Sequence, residues 1–319
     1  MVIIPFTGGL GNQLFQYALM LVLKEHYKSQ NIKGSKMEYK YVKDHAGGYV
    51  LDRVLTEQIG FLNVREEKKY EKLRYMGIVC HCNRLIGKNR KLLKAVSYCE
   101  RIICENNTCH TVTDYKVPIF NEAVFWLPDI EKQDWYLMGF WQNWNYFKKY
   151  EKMIFHKLWL DRIVLNAMQK KLEEKMLHTL SVSIHVRGGD YINNTHFAVC
   201  NRKYYDMALK CLEKEIGIKK SDMNIFVFTD DISFAKKMVP HEDITIISNS
   251  EPGVDMYLMS KCKHNIIANS TYSFWGAFLN RNKSKKIISP KYFYVLRGGI
   301  RTLFSVPDDW IVIQDENVY

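Results

Sequence analysis

The stretch SVSIHVRGGDY, residues 181–191, decides the fold. Its first six residues form an apolar run typical of a buried β-strand, and Arg187 follows where that strand should end. Three shorter apolar runs of the same kind occur further along the second half of the chain, at 225–228, 244–247 and 265–268. These runs predict the strands of one sheet.

The segments between these runs have the apolar spacing of helices. We expect helices at 204–216, 233–239 and 255–262, each long enough to act as a crossover between two strands. Strands that alternate with helices in this way predict a parallel sheet with helices on its faces. The fold class is therefore α/β.

The first half of the chain opens in the same manner. Residues 2–6 predict a strand that ends at a Gly8-Gly9 turn, and the apolar positions from Asn12 onward recur at helical spacing. The stretch DWYLMGFWQNWNYF at 134–147 is rich in aromatic residues and should cover a core or line a groove. A chain of 319 residues favours two domains, which we place at 1–155 and 156–319.

The charge balance favours an anionic partner. There are 46 Lys and Arg against 34 Asp and Glu, a formal net charge of +12. A basic stretch at 65–101 could lie on an anionic membrane surface, or it could be a solvated helix face. No helix-turn-helix, RNA-binding or zinc-ligand spacing accompanies the charge, so nucleic acid and a metal are not expected as partners.

The chain shows no signal peptide and no apolar run near the ~20 residues that span a bilayer. We expect a cytoplasmic protein, and peripheral contact with the inner face of a bacterial membrane stays open.

Ligands of open parallel sheets bind outside the carboxyl ends of the strands, so the residues just after each strand are the candidates. After the first strand of the second half, Arg187 is placed to bind an anion, and Gly188 and Gly189 let the backbone approach a ligand closely. After the next strand, Thr229, Asp230 and Asp231 could accept hydrogen bonds from a base or a ribose.

The third candidate follows the run at 265–268. Here Asn269, Ser270, Thr271 and Ser273 precede a helix that should begin near Phe274. Such residues cap a helix, whose first N–H groups can hold a phosphate, although the same pattern also occurs as a plain cap. Together the three strand ends supply the cation, helix terminus and polar acceptors that a nucleoside diphosphate requires.

At these residues the sequence resembles glycosyltransferase family 11, the α-1,2-fucosyltransferases, and specifically their bacterial members. The resemblance spans nearly the whole chain. It rests on GGLGNQLFQYA at 8–18, SIHVRGGDY at 183–191, FVFTDD at 226–231 and DMYLMSKCKHNIIANSTYSFWGAFL at 255–279.

The resemblance implies a GT-B-like fold, in which two Rossmann-like domains have a cleft between them. The first domain would be the acceptor side, with Asn12 and Gln13 at the cleft and Asn12 among the catalytic residues, and the second would bind the sugar nucleotide. Arg187 would hold the β-phosphate, and His185 and Asp230 would lie near the nucleoside. Three hydroxyl groups would face the pyrophosphate, those of Ser270, Thr271 and Ser273.

One position departs from the family pattern. The family usually reads His-x-Arg-Arg-Gly-Asp, and Gly188 stands here in place of the second arginine. Either another basic residue replaces the lost cation, with Arg202, Lys203 and Arg297 as candidates, or the donor sugar or its phosphate geometry differs from the family norm.

The implied reaction transfers L-fucose from GDP-fucose, with inversion, to the 2-hydroxyl of a glycan whose terminal sugar is galactose by family expectation. The acceptor could be an oligosaccharide or a lipid-linked glycan. No Asp-x-Asp metal motif occurs in the chain. We therefore expect no cofactor and no metal, with Arg187 and the helix terminus neutralising the leaving diphosphate. Asp190 is the candidate general base, and it could equally hold Arg187 or the glycine turn in place.

Three rival functions stay open at this point. Gly188 keeps alive the transfer of another GDP-linked deoxysugar, such as colitose, in bacterial surface polysaccharide synthesis. The other two rivals are a basic nucleic-acid-binding protein and a catalytically inert glycan-binding module.

Overall fold

The structure, a computed structural model, describes residues 1–28, 31–41, 47–70, 109–113, 134–192, 194–241, 243–248, 251–295 and 299–318. The strands are β1 Val2–Pro5, β2 Ile32–Ser35, β3 Cys109–Thr113, β4 Asp134–Met138, β5 Ser181–Val186, β6 Asn224–Thr229, β7 Ile244–Ile247, β8 His264–Ile266, β9 Ile287–Pro290, β10 Tyr292–Val295, β11 Arg301–Leu303 and β12 Ile311–Ile313. The helices are α1 Leu10–His26, α2 Glu38–Tyr41, α3 Leu51–Val54, α4 Glu151–Lys157, α5 Ala167–His178, α6 Arg202–Ile216, α7 Ile232–Met238, α8 Val254–Met259 and α9 Thr271–Phe278.

The chain divides into two compact units. The first unit comprises Met1–Asp52 and Glu57–Ile154, and the second comprises Arg53–Thr56 and Phe155–Tyr319. Each unit contains its own parallel sheet, which confirms the predicted α/β class with two domains of parallel-sheet architecture. The cleft between the domains stays a prediction.

The first unit is built on a four-stranded parallel sheet in the order β2-β1-β4-β3. Helix α1 packs beside it and is buried on nearly every side, because its apolar residues continue around the helix rather than along one stripe. The helix begins at Leu10, two residues before the predicted start at Asn12.

The aromatic stretch at 134–147 belongs to the core of this unit. Strand β4 forms its first part, and the rings of Trp141, Trp144 and Phe147 are fully buried. Phe147 lies 5.9 Å, between ring centroids, from Phe15 on α1. The stretch therefore covers the helix and strand that carry the glycine turn.

The second unit is built on a six-stranded parallel sheet in the order β12-β9-β8-β5-β6-β7. Its buried strands pack against α6, on which Tyr204, Tyr205, Ala208 and Leu212 are at most 1% exposed. Strand β5, the predicted first strand, lies between β8 and β6. The chain leaves β5 toward β6 and later returns to its other side as β8, so β5 and β8 flank the point where the strand order reverses.

Most of the basic stretch at 65–101 lies outside the described residues. Its first part, 65–70, is described and is helical. In the part of the chain that the structure does describe, no helix combines the length and hydropathy needed to cross a membrane.

Candidate functional site

The three predicted strand ends meet at one edge of the second sheet. β5 pairs with β6 on one side and with β8 on the other, so their carboxyl ends are neighbours. This edge lies at the point of strand-order reversal, which is where open α/β sheets bind ligands. The grouping inferred from the sequence is therefore present in the structure.

Arg187 at the end of β5 is held by Asp230 at the end of β6. The Arg187 Nη1 atom lies 2.6 Å from Oδ2 of Asp230, and the other carboxylate oxygen accepts a 2.6 Å hydrogen bond from the Gly188 backbone N–H. Both side chains are one-third exposed. Asp230, which we predicted to lie near the nucleoside, therefore positions the cation and the glycine turn.

An aromatic residue supports Arg187 from another direction. The guanidinium carbon lies 5.4 Å from the ring centroid of Tyr191, which stacks on Phe197 at 4.6 Å. The Tyr191 hydroxyl donates a 3.4 Å hydrogen bond to the carbonyl of Asn269, after β8. A guanidinium fixed between a carboxylate and a ring is oriented before any anion arrives, which lowers the entropic cost of binding one.

His185 is the most unusual titratable group at this edge. It is only 5% exposed, and burial, followed by the charge of Arg187, lowers the pKa of its imidazole to about 3. Its Nδ1 atom has no hydrogen-bond partner within the described chain, and its ring centroid lies 6.1 Å from that of Tyr272. A buried nitrogen without a partner indicates a place for a ligand's polar atom.

Neutral burial of His185 predicts acid sensitivity. Between pH 6.5 and about 3 the unfolded chain protonates this histidine and the folded protein does not, so acidification should favour unfolding. The group should remove about 2 kcal/mol from the free energy of unfolding between pH 7 and pH 5. Urea unfolding at the two pH values should show a smaller loss in His185→Asn than in the wild type.

The exposed His178 provides the control, because His178→Asn should keep the wild-type loss. An equal loss in wild type and His185→Asn would contradict a neutral buried imidazole.

The third strand end forms the start of α9. The helix begins at Thr271, and Ser270 is its N-cap, accepting a 3.3 Å hydrogen bond from the N–H of Tyr272. The predicted start near Phe274 was three residues late, because the cap residues lead directly into the first turn. A helix start leaves N–H groups without intrahelical acceptors, so the backbone here offers donors to an anion.

Two of the predicted donor-site residues after β8, Asn269 and Ser273, are buried and hold this turn in place. Asn269 is 2% exposed, and its amide donates to the carbonyls of Phe197 and Phe293. Ser273 is fully buried, and its hydroxyl donates 3.2 Å to the Ser270 carbonyl. In the structure both side chains therefore support the backbone of the turn. Binding of the donor by Asn269 and contact of Ser273 with the pyrophosphate stay predictions.

The remaining predicted site residues are distributed differently. Asn12 lies in the first unit, where its Oδ1 accepts a 2.7 Å hydrogen bond from Gln142. Gln13, predicted at the cleft, is fully buried and bonds to backbone atoms of Gly8, Gly48 and Val50.

Asp190 lies in a 3₁₀ turn, Gly189–Tyr191, and its side chain is outside the described residues. Of the substitutes for the missing arginine, Arg202 pairs with Asp206 on its own helix, Lys203 is exposed, and Arg297 lies outside the described residues.

Tyr191 and Tyr272 were not predicted to belong to the site. Both lie inside the quoted motifs. A tyrosine at either position does not by itself indicate a binding role, so the sequence offered no reason to select them. Within the described ranges, no three His, Cys, Asp or Glu side chains are grouped so as to hold a metal ion.

Comparison with known proteins identifies relatives over nearly the whole length. The model of glycosyl transferase family 11 matches residues 1–294. The O-antigen biosynthesis glycosyltransferase WbnK of Escherichia coli is 28% identical, over 96% of this chain and 98% of that protein. An alpha-1,2-colitosyltransferase of Escherichia coli is 26% identical, over 98% of this chain and 99% of that protein.

Among solved structures, the fucosyltransferase NodZ from Bradyrhizobium aligns with a TM-score of 0.46 at 14% identity, covering 86% of this chain and 91% of that one. That similarity is too low to bear on the site.

Proposed function

The chain belongs to glycosyl transferase family 11, and from that premise we propose that it transfers L-fucose from GDP-fucose to the 2-hydroxyl of a terminal galactose. Membership of this family makes the protein a glycosyltransferase, which takes a sugar-nucleotide donor and a glycan acceptor. We further propose a place in bacterial surface polysaccharide synthesis, which the name of WbnK supports.

One observation carries the assignment of the donor site. The Arg187 guanidinium is fixed 2.6 Å from Asp230 at the carboxyl end of β5, beside the start of α9, where the strand order reverses. A fixed cation next to a helix N-terminus matches the two oxygen-rich groups of a diphosphate. The buried Nδ1 of His185, which bonds to no described residue, supports a polar contact with the same nucleotide.

The proposed reaction follows from this arrangement. The oxygen of the acceptor hydroxyl forms a bond to the anomeric carbon while the bond from that carbon to the β-phosphate oxygen breaks, and GDP departs with the electron pair. Attack on the opposite face inverts the anomeric configuration. The diphosphate gains negative charge as it leaves, and Arg187 together with the N–H groups at the start of α9 would stabilise that charge.

The hydroxyl proton must leave as the new bond forms. Asp190 is our candidate base for this step, because it follows Arg187 by three residues in the turn at the edge of the site. Asp230 is less suited, because both of its oxygens are engaged, with Arg187 and with the Gly188 N–H.

A second donor is supported by a specific observation. The alpha-1,2-colitosyltransferase of Escherichia coli aligns over 98% of this chain, and colitose differs from fucose by the absence of the 3-hydroxyl. GDP-colitose is therefore the alternative donor. Competition between the two donors at equal concentration would rank them.

The proposal predicts transfer without a divalent metal. Purified protein given GDP-fucose, EDTA and a β-galactoside should release GDP at the same rate as without EDTA. Arg187 and the N–H groups at the start of α9 would stabilise the negative charge of the leaving diphosphate in place of a metal. Lactose, N-acetyllactosamine and galactosyl-N-acetylgalactosamine are the acceptors to compare. The measurement is acceptor-dependent GDP release, with mass spectrometry of the product.

Loss of release in EDTA, restored by Mg²⁺ or Mn²⁺, would contradict the metal-independent mechanism. No transfer from GDP-fucose, together with transfer from GDP-colitose, would show that GDP-colitose is the donor.

A further inference from the structure

The sheet of the first unit has its own edge of the kind at which α/β sheets bind ligands. In its sheet β1 lies in the middle, with β2 on one side and β4 on the other, so the strand order reverses beside β1. Open α/β sheets bind ligands outside the carboxyl ends of the strands at such a point. Our proposed donor site lies in the second unit, and the resemblance implies an acceptor on the side of the first unit without naming the residues after β2 that would contact it.

The loop after β4 contributes an amide to this edge. Trp141 is fully buried and has a φ of 57°, a left-handed conformation that is uncommon for a bulky residue. The next residue, Gln142, donates a 2.7 Å hydrogen bond to Oδ1 of Asn12 at the start of α1. The loop is thus held in a defined geometry beside the glycine turn.

A charged pair follows β2 at the same edge. Lys36 Nζ lies 2.8 Å from Oδ2 of Asp52, and it also lies 4.0 Å and 4.2 Å from the ring centroids of Tyr49 and Phe61. The hydroxyl of Tyr49 donates a 3.2 Å hydrogen bond to the second oxygen of Asp52. The side chains of Lys36 and Asp52 are 37% and 53% exposed, so both reach solvent.

Two contacts place this pair next to the glycine turn. The hydroxyl of Tyr39 donates a 2.7 Å hydrogen bond to the Gly8 carbonyl, and the Tyr39 ring lies 6.3 Å from that of Tyr49. Gly34, at the end of β2, leaves room for the ring of Phe61, which an added Cβ would approach to 2.7 Å. The rings therefore hold the ammonium group beside the carboxyl end of β1.

We propose that Lys36, Asp52 and Tyr49 form a subsite for the acceptor glycan, a neutral pyranoside with neighbouring hydroxyl groups. The inference rests on the proposed function. An exposed donor beside an exposed acceptor matches adjacent hydroxyls, each of which can give and receive a hydrogen bond. The Asp52 carboxylate would repel a phosphate at this position, and the Lys36 ammonium would repel a cation. A neutral polar ligand meets neither repulsion. The rings around Lys36 fix the ammonium in advance.

The test is a selective loss of acceptor affinity. Lys36→Met should raise the KM for N-acetyllactosamine about tenfold, because a hydrogen bond from a charged group is lost, and leave the GDP dissociation constant unchanged. Asp52→Asn should act in the same direction. Lys33→Met is the matched control: Lys33 lies on β2 and pairs with Glu66 at 2.6 Å, so its removal should leave the acceptor KM as in the wild type.

The outcomes separate this inference from the proposed function. An unchanged acceptor KM in both Lys36→Met and Asp52→Asn, with the wild type active, overturns the subsite alone. If the wild type transfers nothing, the proposed donor or acceptor is wrong, and saturation-transfer NMR with N-acetyllactosamine then decides the subsite. Binding that is lost in Lys36→Met supports the subsite, whereas equal binding or no binding overturns it.

Discussion

In the variant Arg187→Ala, kcat for sugar transfer is expected to fall by about 10²–10³-fold. The guanidinium is held 2.6 Å from Asp230 at the edge where we place the diphosphate, and it is the cation that would meet the growing negative charge of the leaving group. Stability should change little, since ion pairs of partly exposed side chains contribute at most about 1 kcal/mol. Steady-state kinetics combined with a thermal melt separates the two effects.

Two further variants sharpen this experiment. Arg187→Lys keeps the charge but loses the planar fork, so it should recover only part of the activity. Arg202→Ala is the matched control, because Arg202 pairs with Asp206 within α6 and has 63% of its side chain exposed. A kcat near that of the wild type in Arg187→Ala would rule out Arg187 as the group that stabilises the leaving diphosphate.

The second large effect is expected at Gly188, which stands where the family usually has arginine. A Cβ at this position would lie 2.5 Å from Cβ of Asp231 and 3.3 Å from Oδ1 of Asp230. Asp231 caps α7 by accepting the N–H of Phe234, so neither aspartate can move without breaking a contact. Gly188→Ala should therefore lower the free energy of unfolding by about 1–3 kcal/mol.

The same displacement should disturb Arg187, whose partner is Asp230. We expect GDP affinity, measured by calorimetry, to fall about tenfold or more in Gly188→Ala, in line with the loss of about 1.4 kcal/mol or more of oriented charge contact. Gly188→Arg should be at least as damaging, although it restores the family motif. Gly60→Ala is the control, because an added Cβ there would meet no atom of the described residues within 4 Å. Wild-type stability and GDP affinity in Gly188→Ala would show that the turn has room to adapt.

This crowding also gives a physical reason for the departure from the family pattern. The backbone N–H of Gly188 donates to Asp230, so the turn lies directly against the end of β6. In this chain a larger side chain at 188 would compete for space with the carboxylate that orients Arg187. A side chain at position 188 would therefore disturb the contact that holds Arg187.

Four strands of the second unit's sheet were predictable because they are short apolar runs separated by helices, whereas β9 and β12 of the same sheet were not predicted. The run at 181–186 coincides with β5 and the run at 244–247 with β7, and the crossover helices differ from their predicted ends by a few residues. Local composition decides such elements: β5 is buried along its whole length, and β7, at the edge of the sheet, is a short run of β-branched residues that is largely half-buried.

The contacts within the site were less predictable. The bond between Arg187 and Asp230 depends on which strands are neighbours and on the rotamers at their ends, and no spacing in the sequence contains that information. The contacts of Asn269 have the same origin, because its amide donates to the carbonyls of Phe197 and Phe293, which lie in distant parts of the chain. The group around Lys36 was the least predictable part. Its members, Lys36, Tyr49, Asp52 and Phe61, come from three places in the first unit and match no motif.

The two units are not separate stretches of sequence, because the four residues Arg53–Thr56 of the second unit lie within the sequence of the first. They belong to the second unit, where the Thr56 N–H donates to Asp161 at 2.8 Å and Val54 is fully buried, although both flanking segments belong to the first. A fragment that starts at Phe155 would lack this piece of its own core. Recombination with a relative at one junction near residue 155 would therefore join the second unit to a foreign 53–56 segment. The two halves should exchange cleanly only when residues 53–56 travel with the second half.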